Sequence, residues 1–245
     1  MTSKIAYLTI DDAPSKDMRL KVDFLAQNNI PAIFFCIGEF MERRPDVIID
    51  TIQKGFIIGN HTYSHPHCSE IELDAVLEQI SKTDAIIDDF YQKAGTPRPA
   101  KYFRFPYGDK GALTGDYVDL PVPDEGAQRK QAIQKHLRDL GYTQPEFPNI
   151  TYRYYHEQGL LEDVDWYWTF DTLDWSVFSK TPIHGVTSVE AVYGRINKDL
   201  PEQGFGLNSA DSEEIVLIHD HEESTEIFAL IVQRLVEKGL QFRLP

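Results

Sequence analysis

Two histidines four residues apart, His61 and His65, and two adjacent aspartates, Asp11 and Asp12, are the residues of this chain best suited to chemistry. A spacing of four brings both imidazoles to one side of a helical turn or a tight loop. One carboxylate added to such a pair makes a two-histidine, one-carboxylate set. That set is a common catalytic zinc or iron arrangement, with open positions for water. Adjacent residues at a strand end point in different directions, so one aspartate could bind the metal while its neighbour serves as base. The plainer alternatives are two polar loop histidines and, for Asp11-Asp12, a turn or helix cap ahead of Pro14-Ser15.

Such groups need a scaffold that brings them together. Apolar runs at 5–10, 32–37, 56–58, 101–105, 166–170, 214–218 and 240–244 read as buried strands. They alternate with amphipathic stretches at 16–29, 45–54, 70–94, 124–140, 187–200 and 224–238, which read as helices. Strand–helix alternation implies a parallel sheet with helices outside it. About seven such units within a single domain, residues 1–245, point to a (β/α) barrel, regular or distorted, rather than an open sheet. Barrels of this kind work at the C-terminal ends of their strands. Five runs end there in ionisable clusters: Asp11-Asp12, His61 to His67, Arg104 to Tyr107, Asp171 to Trp175, and His219 to His221. Two long stretches, 111–123 and 143–165, are expected as excursions above the barrel mouth.

Composition narrows the partners. With 24 Lys+Arg against 39 Asp+Glu the net charge is −15, a field that repels nucleic-acid backbones and anionic membrane surfaces. No apolar run approaches the roughly 18 residues of a transmembrane helix. Cys36 and Cys68 are too few for a disulfide scaffold or a four-cysteine zinc site. They read as reduced thiols, with Cys68 as a spare metal ligand the weaker alternative. The opening MTSKIAYLTI runs straight into Asp11 without the features of a secretory leader. As written the chain is expected in the cytoplasm; the alternative is an exported protein shorn of its leader.

Thr9-Ile10-Asp11-Asp12-Ala13-Pro14, His61-Thr62-Tyr63-Ser64-His65-Pro66, Arg104-Phe105-Pro106-Tyr107, Asp174-Trp175 and Leu217-Ile218-His219 follow one another in this order. Together they resemble the five motifs of the polysaccharide deacetylase superfamily, also called carbohydrate esterase family four, with its NodB-like domain. The resemblance spans nearly the whole chain. It implies a distorted (β/α) barrel that removes N-acetyl groups from amino sugars, or O-acetyl groups in some members, in chitin- or peptidoglycan-like carbohydrate. It implies that Asp12, His61 and His65 bind a divalent metal, usually Zn2+, with Co2+, Ni2+ or Mn2+ as alternatives. Asp11 would be the general base, Arg104 its orienting partner, and the backbone N–H of Tyr107 a donor to the oxyanion. His219 would be the general acid, Asp174 the group that sets its tautomer, and Trp175 and Leu217 the walls of an acetyl pocket.

The chain departs from the family pattern at Ile10 (usually Phe), Ala13 (usually Gly) and Phe105 (often Pro). Ala13 raises the question of a turn that needs positive φ. His67 and His221 read as solvated or supporting groups. Tyr152, Tyr154 and Tyr155 either stack on sugar rings or pack over the mouth. The rival functions are a hydrolase of a small non-sugar amide, suggested by the absent leader and the insertions, and a non-catalytic carbohydrate-binding relic. Oligomeric state is left open.

Overall fold

The computed structural model describes residues 4–113, 122–198, 206–209 and 211–245. Six strands, β1 (Lys4–Ala13), β2 (Ile33–Cys36), β3 (Ile57–Asn60), β4 (Phe170–Asp171), β5 (Glu214–His219) and β6 (Leu240–Phe242), form one parallel sheet. Their order is β3-β2-β1-β5-β4, with β6 paired to the start of β1. Single bridges from Asn60 to Phe103 and from Phe103 to Asp165 carry the curl onward from β3. The chain then runs from Asp165 into β4, so the result is a distorted (β/α) barrel with an irregular seam.

The strand expected at 101–105 shrinks to the one bridging residue, Phe103. Pro99 and Pro106 flank it and offer no N–H to a ladder. Its pairing with β3 consists of Asn60 N–H to Tyr102 O (2.8 Å) and Arg104 N–H to Asn60 O (3.1 Å). The strand expected at 166–170 likewise pairs regularly only from Phe170.

Helices α1 (Met18–Gln27), α2 (Gly38–Arg43), α3 (Pro45–Gln53), α4 (Leu73–Ala94), α5 (Asp124–Asp139), α6 (Arg153–Glu157), α7 (Val189–Asn197) and α8 (Thr225–Glu237), with two 3-10 turns at Pro106–Gly108 and Asp174–Phe178, complete the described elements. The short α2 and α6 carry too few turns to show a period in the sequence. The helix expected at 187–200 ends at Asn197, and positions 199 and 200 lie outside the described residues. Among the described residues, no helix is long and apolar enough to cross a membrane.

Strand alternation divides the core. Ala6, Leu8 and Ile10 of β1, with Phe34, Ile58, Val216 and Ile218, face outward onto Val22, Ile48, Phe228 and Ile231 of the helices. Tyr7 of β1, Ile33 and Phe35 of β2, Ile57 of β3 and Ile215 of β5 face inward, where Phe147, Ile150, Tyr155 and Trp166 meet them. This corrects the expectation for 143–165. The segment plugs the barrel from the N-terminal ends of the strands instead of arching over the mouth. Glu213 N–H bonds Asn149 O at 2.8 Å, Tyr152 Oη donates to Glu214 at the foot of β5, and Tyr155 Oη donates to Tyr167 O at 3.1 Å. The lower barrel is apolar, and Phe147, Ile150 and Tyr155 fill it at 3% exposure or less. Of the other insertion, Gly111 lies beside Cys68 and Ile133, while 114–121 fall outside the described residues.

Tyr152→Phe is therefore expected to destabilise the fold without touching catalysis. Glu214 is fully buried, and it would lose one of the partners it shares with Lys4 and Thr169. The cost should be about 1–3 kcal/mol in a denaturant titration. A change in KM instead would return these tyrosines to the mouth.

Candidate active site

The end of β1 is bulged. Ile10 pairs with Phe34 and Ala13 with Cys36, so three steps along β1 oppose two along β2. The residue that absorbs the extra step is Asp12, at φ 63°, a conformation aspartate tolerates better than most. In an unbroken strand Asp12 would point away from Asp11. The bulge turns both into one hollow: His61 Nε2 lies 3.7 Å from Asp11 Oδ2 and 3.4 Å from Asp12 Oδ1. The two neighbours converge, contrary to the simple alternation argument. The positive φ sits on Asp12, so Ala13, fully buried behind it, meets no strain from its Cβ.

His61 and His65 leave β3 in a tight loop, not a helix, with Thr62 and His65 at φ 66° and 57°. Asn60 anchors that loop. Its Oδ1 accepts from Thr62 N–H at 2.9 Å, and its Nδ2 donates to Ile80 O and Tyr142 Oη at 2.9 and 2.7 Å. Gly59 is required one step earlier, because a Cβ there would stand 2.7 Å from the ring of Phe35. That ring lies beneath Arg104, 4.4 Å from its guanidinium carbon.

Arg104 is fully buried. Its Nη1 donates to Asp11 Oδ1 (2.8 Å) and Thr9 Oγ1 (2.7 Å), and its Nε to Trp166 O (3.2 Å). Its own carbonyl sits 2.8 Å from His61 Nδ1. A carbonyl only accepts, so Nδ1 carries a proton, and Nε2 is the ring nitrogen that faces the two aspartates. With Nε2 deprotonated, its lone pair would face two carboxylates, an arrangement that a cation between them would satisfy.

The surroundings of Asp12 fit that cation. Its Oδ1 is buried and lacks a proper hydrogen bond, although His65 Nε2 stands 3.0 Å away. One ligand atom from each of Asp12, His61 and His65 lies within 4.8 Å of the others. Burial opposes ionisation of Asp12, but the surrounding imidazoles outweigh it and hold the carboxyl well below the usual range. Burial pulls His65 down even beside Asp12, favouring the neutral form a ligand must have. Cys68 is not in this group. Its thiol is buried and pushed up by that burial, as is the thiol of Cys36.

The His219 side of the hollow is built from β4 and β5. His219 is registered against Asp11 on the adjacent strand and so faces the same interior. Its Nδ1 stands 2.9 Å from Asp174 Oδ1 and its backbone N–H donates to Asp174 Oδ2 at 3.2 Å. Thr172 Oγ1 adds a third bond to that fully buried carboxylate, at 3.0 Å. Burial works against a charged His219, but the Asp174 carboxylate overrides it and lifts the imidazole to about 10. Asp171 shapes the connecting turn: its Oδ1 accepts from Leu173 N–H at 2.7 Å, and Leu173 is left-handed at φ 55°. Burial pushes the Asp171 carboxyl up to about 6.

Tyr107, at φ 59° and 46% exposed, stands at the rim with its ring stacked on His67 (3.8 Å) and edge-on to His65 (4.5 Å). Leu217 is buried and points inward between Ile215 and His219. Trp175 is half-buried in the short 3-10 turn after Asp174 and packs on the helix-facing core. Phe105 stacks edge-on against Phe103 at 4.8 Å and disturbs no polar group. Sequence reasoning missed the roles of Thr9, Asn60, Asp171 and Trp168, whose ring lies 5.9 Å from Arg104. His221, read as a solvated or supporting group, has its Nε2 2.7 Å from Asp12 Oδ2.

Residues 1–120 match the family model described as polysaccharide deacetylase. A peptidoglycan-N-acetylglucosamine deacetylase of Bacillus cereus is 38% identical over 103 residues, 42% of this chain and 36% of that protein. Chitin deacetylase 3 of Cryptococcus neoformans is 26% identical over 239 residues, 96% of this chain and 46% of that protein. The chain spans less than half the length of either relative. Among solved structures, a family 4 carbohydrate esterase from Streptomyces lividans matches with a TM-score of 0.61 at 20% identity, covering 98% of this chain and 92% of that one. The matched region 1–120 holds the metal-type residues, Asp11 and Arg104; Asp174 and His219 lie beyond it.

Proposed function

Because the chain belongs to the polysaccharide deacetylase superfamily, we propose that it is a metal-dependent amide hydrolase that removes acetyl groups from N-acetylated amino sugars in chitin- or peptidoglycan-like carbohydrate. The observation that carries this is the convergence of Asp12, His61 and His65, with Asp11 and His219 on the two adjacent strand ends. Asp12, His61 and His65 would hold the cation, with Zn2+ the proposed metal. A divalent cation supplies Lewis acidity there, lowering the pKa of water to about 7 and polarising a carbonyl oxygen.

The other roles belong to the protein. Asp11 has Oδ1 engaged by Arg104, which leaves Oδ2 to take the proton from the attacking water. Water oxygen adds to the acetyl carbonyl carbon, and the left-handed turn at Tyr107 offers a backbone N–H to the developing oxyanion. The carbon–nitrogen bond breaks as His219 gives its proton to the departing nitrogen. Asp174 occupies Nδ1, so Nε2 is the delivering atom. Leu217 lines the acetyl side, where each methylene discriminates by only ~1–3 kcal/mol.

The small-amide alternative loses part of its motive, since the 143–165 segment packs at the far end of the barrel and makes no lid. The relic alternative is opposed by an acid, a base and a metal set that all face one hollow. The test is acetate release from N-acetylglucosamine oligomers, run beside linear and cyclic small amides, with elemental analysis of the protein. Acetate from the oligomers should stop on chelation and return with Zn2+. Turnover confined to small amides, or a protein that takes up no divalent metal, would overturn the proposal.

A further inference from the structure

We propose that His221 is a positioning residue for the metal carboxylate: its Nε2–H holds Asp12 Oδ2, so that Oδ1 alone is turned toward His61 and His65. This rests on the metal centre proposed above and adds a residue outside its ligand set. A carboxylate only accepts, so the 2.7 Å contact places a proton on His221 Nε2. Unrestrained, the two oxygens of Asp12 are equivalent, and the carboxylate could swing to engage a cation through both. The second oxygen would then take a position that water or the acetyl oxygen needs. His221 occupies Oδ2 and keeps Asp12 a one-oxygen ligand, the usual task of a hydrogen bond behind a ligating group.

The imidazole is well anchored. His219 and His221 are turned to the same side, with ring centroids 5.4 Å apart, while Asp220 between them points the other way into a buried clamp. Lys21 Nζ donates to Asp220 Oδ1 and to His221 O, both at 2.7 Å. Ser15 gives Asp220 its N–H (2.7 Å) and its hydroxyl (2.8 Å), and Ser224 Oγ donates to His221 O at 3.0 Å. Asp220 N–H in turn donates to Asp11 O at 2.8 Å. Three consecutive residues thus supply the acid, an anchor and the orienting group. The His221 side chain itself is 35% exposed, so its removal leaves the core intact.

The test is Zn2+ affinity by competition with a chromophoric chelator, for wild type, His221→Ala and His221→Gln, with Co2+ absorption spectra at saturation. His221→Ala should bind Zn2+ about 10–100-fold more weakly. His221→Gln, whose amide N–H can reach the same oxygen, should recover most of the loss. Thermal midpoints of the metal-free proteins should coincide, and saturated Co2+ spectra should match wild type. Equal Zn2+ affinity in wild type and His221→Ala overturns the inference. A Co2+ spectrum showing a lost nitrogen ligand also overturns it, because His221 would then be a ligand itself. A wild-type chain that takes up no Zn2+ removes the metal centre, a failure distinct from either.

Discussion

Asp11→Asn is expected to lower turnover by about 10²–10⁴-fold while the protein still takes up its metal. The substitution keeps the shape of the side chain, and its Oδ1 can still accept from Arg104 Nη1, now 2.8 Å away. What disappears is the basicity of the oxygen that faces His61. The prediction separates two neighbours that the bulge places almost equally near that imidazole, 3.7 and 3.4 Å from its Nε2. If Asp11 is the base, metal content by elemental analysis is unchanged and kcat falls. Loss of metal together with activity would make Asp11 a ligand, and wild-type turnover would remove it from the chemistry. The control is the thermal midpoint, because the variant leaves buried Arg104 without its counter-charge, a change worth about 3–5 kcal/mol in the worst case.

The second large effect is expected at His219. His219→Gln should cost about 10²–10⁴-fold on an N-acetyl amino sugar and far less on an activated aryl acetate. An amine leaves only when protonated, whereas a phenolate departs without help. Equal losses on both substrates would mean that His219 serves binding or folding and not proton delivery. Its pH dependence follows from Asp174. If His219 is the acid, it works while the imidazole is protonated, so activity should be lost as pH rises through its raised value, about 10 before any cation is bound. A cation on Asp12 repels the imidazolium and moves that limb lower. Asp174→Asn removes the main group that raises the imidazole and should shift the limb further toward acid. An unmoved limb in a pH–rate profile would assign it to another group.

The meeting place of the proposed site residues was legible in the sequence because each follows an apolar run, and parallel strands under helices deliver their ends to one rim. Asp11, Asp12, His61, His65, Arg104, Asp174 and His219 all converge there. The turn of Asp12 was not legible, since a pattern of apolar and polar residues carries no sign of a left-handed aspartate. Which group His221 supports was hidden for a related reason. It depends on the register of Asp11 against His219 across two strands far apart in the chain. The segment 143–165 misled because tyrosine, proline and asparagine suit a rim loop as well as a plug. Phe147 and Ile150 of the segment pack with Tyr7, Ile33 and Ile215 inside the barrel.

That plug makes the barrel a blind well. Among the described residues, Phe147, Ile150, Tyr155 and Trp166 pack together as its floor, so on the proposed function reactant and both products would pass through the mouth. If the substrate is a polymer lying across the opening, it would have to shift along or lift away before the small fragment behind it could escape.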